Sequence, residues 1–364
     1  MIKTSFRSGK GVVFGVAACA SVFLAVIWLR SLPGEEVEPY PAQRILRTAA
    51  IEGIQYKLTD DGNVFRVIDE RNTWSWVDRV FDPEQLARDY IKEGEEVFFV
   101  DPESGRKYQM LKHFEEGFED LPVGVAGLRA LMTEERKWNE FTLQTPKTPS
   151  IADYVALRNT IIKEGGDFLD AVLEPTGEQA HSGNQSLRCF CPPKSASMIC
   201  AKASIASGFF YFEEGEDLWF QSHFKVDGET RPFTLADIEG RHVKESPGIR
   251  LMIFQDGALG AELKSLDKPT FRQAPESKVL FPTDEWVKVT WHVYLHPDDG
   301  KIHIWQNDRL IVDAVGPTLP FSKMILNSVE VGISAHSFGN KPSTLFVDDI
   351  VVTHSPLRAI PEVK

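Results

Sequence analysis

Alternating apolar and polar positions dominate the C-terminal half of the chain. From residue 168 onward, apolar residues recur at every second position within short segments, and clusters rich in Gly, Pro, Asn and Asp separate these segments. Successive side chains of a strand point to opposite faces, so this period indicates strands with one buried face. Strands at this spacing without intervening helices predict an antiparallel β-sandwich. The nine segments are SGNQSLRCFC, EDLWFQSHFKV, PGIRLMIF, GALGAELKS, EWVKVTWHVYLH, KIHIWQND, RLIVDAV, NSVEVGISAH and STLFVDDIVVTH.

Other patterns precede these strands. Residues 44–109 predict a small α+β unit, and the main β domain is expected to span 110–357. Within the main domain, the segment 150–166 predicts a helical insertion that either Ser150 or Asp153 caps. The small unit is expected to contain two hairpins and a short helix, at 54–69, 95–111 and 82–94 respectively.

The N-terminus carries the pattern of a membrane anchor. Residues 11–29 contain no charged side chain, and three basic residues precede them. A helix of this length just spans a hydrocarbon core, with the positive flank in the cytosol. The absence of a small-residue cleavage site favours an uncleaved signal anchor, while a cleaved signal peptide or a lipid anchor at Cys19 stays open. The sequence therefore predicts a single-pass membrane protein with an anchor region (1–30), a solvated linker (31–43) and a periplasmic or extracellular main domain.

Composition restricts the classes of partner. The formal net charge is −13, which argues against nucleic-acid binding because that function needs a basic surface. An anionic ligand would have to meet a local basic patch.

The hairpin between residues 286 and 306 aligns chemically active side chains on its polar face. Its apolar positions predict one face in the sandwich core, and the opposite face carries imidazole, phenol and indole groups. The PDDG turn predicts three cross-strand pairs on that face: His296 with Lys301, Tyr294 with His303, and His292 with Trp305.

A second strand, at 218–226, has the same alternation. Its polar face carries Trp219, Gln221, His223 and Lys225. We expect this strand and the strands that carry Arg250, Glu262 and Lys264 to share one sheet with the hairpin. Together they would form a single polar floor.

The C-terminal half of the chain resembles the concanavalin A-like polysaccharide lyases, in particular the heparin lyase I, alginate lyase and glucuronan lyase group. The resemblance rests on SGNQSLRC, EDLWFQSHFKV, the long hairpin EWVKVTWHVYLHPDDGKIHIWQNDRLIVDAVG and the closing LFVDDIVV. It implies a jelly-roll β-sandwich that binds an anionic polysaccharide. It also implies β-elimination on a uronate, in which a base removes the C5 proton while other groups neutralise the adjacent carboxylate.

The resemblance assigns roles to residues of the polar floor. His292, Tyr294 or His223 would act as base or acid, and Gln221 and Arg250 would bind the uronate carboxylate. The Arg-Thr-Glu-Leu-Arg motif of alginate lyases is absent, so whether the chain is an enzyme stays open. Substrate-binding roles fall to Trp219, Lys225, Lys264, Lys288, His303 and Trp305.

Two other functions remain alternatives. One is a non-catalytic carbohydrate-binding jelly roll, and the other is a structural protein of the cell envelope that contacts protein. A retaining glycosidase would need two carboxylates about 5 Å apart on the floor. The segment FEEGED (212–217) lacks the expected order of such residues, so the sequence disfavours this class.

The resemblance also implies a structural calcium site. Glu119, Asp120 and Asp349 would join the first and last strands through the hard oxygen ligands that Ca²⁺ prefers. Plain surface carboxylates are the alternative.

Three cysteines lie in the segment CFCPPKSASMIC. If PPKSAS turns the chain, Cys189 and Cys200 lie opposite each other, and an exported protein permits a disulfide there. Pairing of Cys191 with Cys200, or three reduced thiols, stays open.

Overall fold

The computed structural model describes residues 45–51, 54–59, 63–67, 74–79, 86, 88–243, 246–264, 268–336 and 340–357. The predicted transmembrane helix at 11–29 and the linker at 31–43 lie outside these residues. Within the described ranges, no helix has the length and hydropathy needed to cross a membrane.

Two small antiparallel sheets precede the main domain. The first is a four-stranded meander of β1 (Ile45–Ile51), β2 (Ile54–Thr59), β3 (Asn63–Val67) and β4 (Trp74–Arg79). The second contains β5 (Tyr90–Glu93), β6 (Glu96–Val100) and β7 (Lys107–Gln109). Both predicted hairpins are therefore confirmed. The predicted short helix is wrong at its C-terminal end, because Tyr90–Glu93 pairs with β6 as a strand.

The main domain is a β-sandwich of two antiparallel sheets. The first sheet has eight strands in the order β10-β11-β22-β13-β18-β19-β20, and β8 also pairs with β22. Its strands are β8 (His113–Glu116), β10 (Val172–Thr176), β11 (Ser186–Cys191), β13 (Asp217–Asp227), β18 (Val287–Tyr294), β19 (Gly300–Gln306), β20 (Arg309–Gly316) and β22 (Ser343–Thr353).

The second sheet has seven strands in the order β17-β16-β15-β14-β21-β12-β9. Its strands are β9 (Glu140–Gln144), β12 (Ala201–Ser207), β14 (Thr234–Glu239), β15 (Gly248–Ile253), β16 (Leu259–Lys264), β17 (Thr270–Phe271) and β21 (Ser328–His336). All nine predicted segments form strands, which confirms the sandwich. The finer assignment to a concanavalin A-like jelly roll stays a prediction.

The core lies between the two sheets. Phe220 and Trp291 from the eight-stranded sheet and Leu251 and Val331 from the seven-stranded sheet are fully buried within it. Alternation along each strand sends the neighbouring residues to the outward faces. The sandwich therefore has two outward faces on which polar side chains collect.

Among the described residues of the main domain, two α-helices interrupt the strands, α1 (Val125–Leu131) and α2 (Ile151–Glu164). Helix α2 confirms the predicted insertion. Both candidate capping residues take part, because the Ser150 hydroxyl accepts from the Asp153 backbone amide while the Asp153 carboxylate accepts from the Ser150 amide. This reciprocal arrangement is a capping box.

The predicted register of the long hairpin is wrong by two residues. His292 lies opposite His303, and Tyr294 lies opposite Lys301. His296 leaves the ladder because its Nδ1 accepts the backbone amides of Asp298 and Asp299, at 3.1 and 2.8 Å. A shift of two keeps every side chain on its predicted face, so the polar face survives with different pairs.

The predicted disulfide between Cys189 and Cys200 is wrong. Cys189, Cys191 and Cys200 are buried thiols, and none forms a disulfide. The segment PPKSAS does not close a hairpin, because the strands on its two sides, β11 and β12, belong to different sheets.

Candidate functional site

Most of the predicted site residues lie on the outward face of the eight-stranded sheet. Strands β13, β18 and β19 are neighbours there and carry Trp219, Gln221, His223, Lys225, Lys288, His292, Tyr294, His303 and Trp305. Arg250 and Lys264 belong to β15 and β16 of the other sheet. The expected single floor is therefore wrong, and the predicted catalytic set is divided between two faces.

A chain of hydrogen bonds runs through the two hairpin histidines. His292 Nε2 lies 2.7 Å from Asp217 Oδ1, and the Nδ1 atoms of His292 and His303 are 2.9 Å apart. His303 Nε2 approaches Asp313 Oδ1 at 3.3 Å. Burial lowers the pKa of both imidazoles, against the opposing effect of the two carboxylates. This order of groups forms a carboxylate–imidazole–imidazole–carboxylate relay.

The aromatic rings beside this relay stack on one another. Trp219 and His292 have centroids 4.1 Å apart at 16°, and Trp219 and Trp305 are 6.0 Å apart at 20°. Trp219 is 9% exposed and Trp305 is 3% exposed. These small exposed fractions leave little indole surface for the predicted stacking on sugars.

The other predicted binding residues of this face already have partners. Lys225 donates to Gln179 at 3.0 Å, Lys288 pairs with Asp308, and Gln221 accepts from the Thr290 hydroxyl at 3.2 Å. These contacts hold the polar ends close to the sheet.

The outward face of the seven-stranded sheet carries a dense charged cluster, which we call the charged face. The six side chains on it are between 3% and 7% exposed. Buried charges require close partners, and each member has an opposite charge nearby. The charged face consists of Lys202 from β12, Asp237 and Glu239 from β14, Arg250 from β15, Lys264 from β16 and Glu330 from β21.

Three carboxylates converge on the charged face. Asp237 on β14 lies directly opposite Glu330 on the adjacent strand β21, and Glu239 lies two residues further along β14, on the same side. One oxygen from each lies within 4.8 Å of the other two. The sequence analysis considered only the segment 212–217 for a carboxylate pair, whereas these three carboxylates lie on β14 and β21.

Asp237 is held ionised by its cationic neighbours. Arg250 Nε lies 3.3 Å from its Oδ1 and Lys264 Nζ lies 4.0 Å away, while the Ser334 hydroxyl donates to Oδ2 at 2.6 Å. Burial alone would raise the pKa of this carboxyl group. Lys264 and Arg250 outweigh burial and lower the pKa to about 2.

Glu330 responds in the opposite direction. Burial raises the pKa of Glu330, and the neighbouring charges of Glu239 and Asp237 add to this effect against the attraction of Lys202. Lys202 Nζ is 3.7 Å from Oε1, and the Ser204 hydroxyl donates to the same oxygen at 2.5 Å. The face thus places a carboxyl group whose pKa is raised beside one whose pKa is lowered.

Further ion pairs extend the charged face toward helix α2. Glu239 pairs with Lys264 and lies 4.0 Å from Arg241, and Arg241 in turn pairs with Glu140. Arg158 of α2 donates to Glu140 at 2.5 Å. These contacts fix the strands that carry the carboxylates against the helix.

A cavity of about 600 Å³ adjoins the charged face on the side away from helix α2. Glu262, which pairs with Arg250 at 3.6 Å, lines this cavity together with Met252, Phe254 and Arg272. Its volume lies within the range of ligand pockets, and its lining combines apolar and charged groups.

The predicted calcium ligands Glu119, Asp120 and Asp349 line one cavity of about 720 Å³. Their oxygens do not form one of the groups that converge within 4.8 Å in the described residues. Glu119 instead accepts the backbone amides of Asn184 and Gln185, at 3.0 Å each. Calcium binding here stays a prediction.

The sequence analysis missed Asp237, Glu239 and Lys202 because it did not identify β12 and β14. A signal was nevertheless present in NSVEVGISAH, where Glu330 and Ser334 alternate with buried Val331 and Ile333. A glutamate on the polar side of so apolar a strand needs a buried partner.

No protein-family model and no curated protein matches the sequence. Among solved structures, the cellulose induced protein Cip1 aligns at 18% identity over 51% of this chain and 87% of that one, with a TM-score of 0.40. An endo-β-1,4-glucuronan lyase from the fungus Trichoderma reesei aligns at 10% identity over 60% and 96%, with a TM-score of 0.42. An alginate lyase from a Chlorella virus aligns at 10% identity over 50% and 89%, with a TM-score of 0.33. Likenesses this distant transfer neither an activity nor a site residue.

Proposed function

We propose that this protein binds a carbohydrate at the charged face and hydrolyses a glycosidic bond there. One observation carries the proposal: Glu330 and Asp237 converge within 4.8 Å, and their pKa values are shifted in opposite directions. Neighbouring titratable groups whose environments separate their pKa values suit an acid and a base at the same pH.

The chemistry assigns one role to each carboxyl group. Glu330 donates its proton to the glycosidic oxygen, and the ionised Asp237 attacks the anomeric carbon as the bond to oxygen breaks. Water then releases the sugar from the Asp237 ester while Glu330 takes back a proton. One oxygen of each group lies within 4.8 Å of the other, which is closer than the roughly 6.5–9.5 Å between the carboxyl groups of inverting enzymes and therefore favours a retaining mechanism.

The charge balance of the face bears on the class of substrate. Five cations (Arg158, Lys202, Arg241, Arg250, Lys264) pair with five carboxylates (Glu140, Asp237, Glu239, Glu262, Glu330). Because Glu330 carries a proton in this mechanism, the excess is one positive charge, which attracts a polyanion only weakly. We therefore propose a neutral glycan, bound through the adjoining cavity, in place of the acidic polysaccharide expected from the sequence.

A second candidate is β-elimination of a uronate at the hairpin relay. The relay favours it, because an imidazole whose pKa is lowered is neutral at pH 7 and able to accept a proton. Arg250 takes no part in this version because it lies on the other sheet. The extracytoplasmic location predicted from residues 11–29 fits either substrate and stays a prediction.

The products distinguish these functions. The full-length chain is incubated with a panel of neutral glycans and uronate polymers, and both new reducing ends and unsaturated uronates are measured. Hydrolysis yields reducing ends without unsaturation, whereas elimination yields both. Reducing ends from a neutral glycan support the proposal. Unsaturated products would transfer the activity to the relay, and binding without any product would leave a non-catalytic carbohydrate-binding protein.

A further inference from the structure

A mixed cluster of two imidazoles and one carboxylate lies on the eight-stranded sheet, away from the charged face. The Nδ1 atoms of His181 and His223 lie 2.7 and 3.3 Å from the same oxygen, Asp349 Oδ2. The three donor atoms are all within 4.8 Å of one another. His181 lies in a loop, His223 in β13 and Asp349 in β22.

A β-bulge turns Asp349 toward the histidines. The β13–β22 register shifts between Gln221 and His223, so Asp349 and Ile350 together lie opposite Ser222. Asp349 has a φ of 49°, in the left-handed region that non-glycine residues rarely adopt. Such strain persists where the surrounding structure holds it, often at functional sites.

Neighbouring groups fix the other members of the cluster. Asp348 Oδ2 accepts the backbone amides of His181 and Ser182, at 2.8 and 3.2 Å. The Ser182 hydroxyl donates to Asp349 Oδ1 at 2.6 Å, which leaves Oδ2 directed at the imidazoles. These contacts are of the kind that orient the ligands of a metal site.

One nitrogen of the cluster lacks a hydrogen bond. His223 Nδ1 is buried, and within the part of the chain that the structure describes no partner meets hydrogen-bond geometry. Asp349 Oδ2 lies 3.3 Å from this nitrogen but without the alignment of a hydrogen bond. A buried nitrogen in this state is costly unless another group uses its lone pair.

We propose that His181, His223 and Asp349 bind one divalent transition-metal ion, with zinc as the first candidate. Imidazole and carboxylate together suit zinc, whereas calcium takes six to eight oxygen ligands. The two rings now stack with centroids 3.5 Å apart, so binding requires them to turn until both Nδ1 lone pairs point at the ion. Three protein ligands leave a fourth position for water or an exogenous ligand.

The test is metal binding by the full-length chain. Calorimetry measures the binding of Zn²⁺, and the visible spectrum reports the Co²⁺ form. We expect one ion per chain and the intense bands of tetrahedral cobalt. His223→Gln should abolish this binding, and Ser182→Ala should weaken it about tenfold because Ser182 only orients Asp349. His113→Gln is the matched control, because His113 also contacts a carboxylate, Glu115, but is exposed.

Circular dichroism checks that each variant folds, and Asp349→Asn replaces His223→Gln if the latter does not. Stoichiometric binding that both ligand variants lose supports the site. The proposal is overturned if the wild-type chain binds no stoichiometric zinc, if His223→Gln and Asp349→Asn bind it as tightly as wild type, or if only calcium binds. Glycan turnover is not a readout here, so the two proposals fail independently.

Discussion

His292 and His303 share a hydrogen bond between their Nδ1 atoms, which lie 2.9 Å apart, and the far nitrogen of each ring faces a carboxylate. Three contacts thus connect Asp217, His292, His303 and Asp313. Each contact needs one proton, so the complete chain requires three protons on four ring nitrogens. Two neutral imidazoles carry two protons between them, so the first added proton completes the chain, and a second added proton would set two N–H groups against each other.

The first prediction is that the two imidazoles titrate as one unit. Burial lowers the pKa of both, so the second proton should bind only well below pH 6.5. Nitrogen NMR of labelled histidines measures this directly. Asp313→Asn should lower the pH at which the histidine pair binds its first added proton. Two independent titrations near the ordinary histidine value would contradict the relay.

The second prediction concerns acid stability. Burial lowers the pKa of His354 to about 4, and Lys112 contributes in the same direction. Above pH 6.5 the folded and unfolded states are both neutral at this site. As the pH falls from 6.5 toward 4, the unfolded chain binds the proton first, so the free energy of unfolding decreases by roughly 3 kcal/mol.

His354→Phe should remove that part of the decrease, since phenylalanine keeps the stacking on Phe212. Urea unfolding at pH 7 and pH 4.5 measures the difference, with His113→Phe as an exposed control. An unchanged pH dependence in His354→Phe would show that this histidine is not responsible.

The third prediction compares two isosteric changes on the charged face. Asp237→Asn leaves Arg250 and Lys264 without their shared counter-ion, which should lower the free energy of unfolding by about 3–5 kcal/mol. Burial raises the pKa of Glu330, so Glu330→Gln should cost less than Asp237→Asn. Equal losses in chemical denaturation would contradict the opposite pKa shifts of the two carboxyl groups.

The fourth prediction addresses helix α2. Ser150→Ala removes the hydroxyl of the capping box and should cost about 1 kcal/mol. The control is Ser195→Ala, because Ser195 is a half-buried loop residue whose hydroxyl shares a hydrogen bond with the exposed Ser197 and caps no helix. Thermal unfolding that shifts equally in both variants would mean that the cap does not contribute.

The sandwich could be predicted from the sequence, but the arrangement of its strands could not. Alternation identifies a strand and separates its buried face from its outward face, on which Trp219 and His223 lie. It carries no information on which distant strands pair, so Arg250 was assigned to the wrong sheet. The hairpin register failed for a local reason, because the His296 side chain accepts the amides of the turn.

The strands that carry the charged face gave weak signals. In AKASIAS every residue is buried and most are small, so polar and apolar sides do not contrast. In TLADIE a register shift between Thr234 and Ala236 interrupts the alternation just before Asp237. Carboxylates that converge from such strands become visible only when long-range pairing is known.

The most direct measurement of the central claim is the rate of glycan hydrolysis by Glu330→Gln beside a matched control. Glu174→Gln serves as that control, because burial also raises the pKa of Glu174, yet this residue lies on the other sheet and pairs with Arg188. We predict that Glu330→Gln lowers kcat by about 10²–10⁴-fold while Glu174→Gln keeps the wild-type rate. Wild-type turnover in Glu330→Gln, or an equal loss in both variants, would contradict the account.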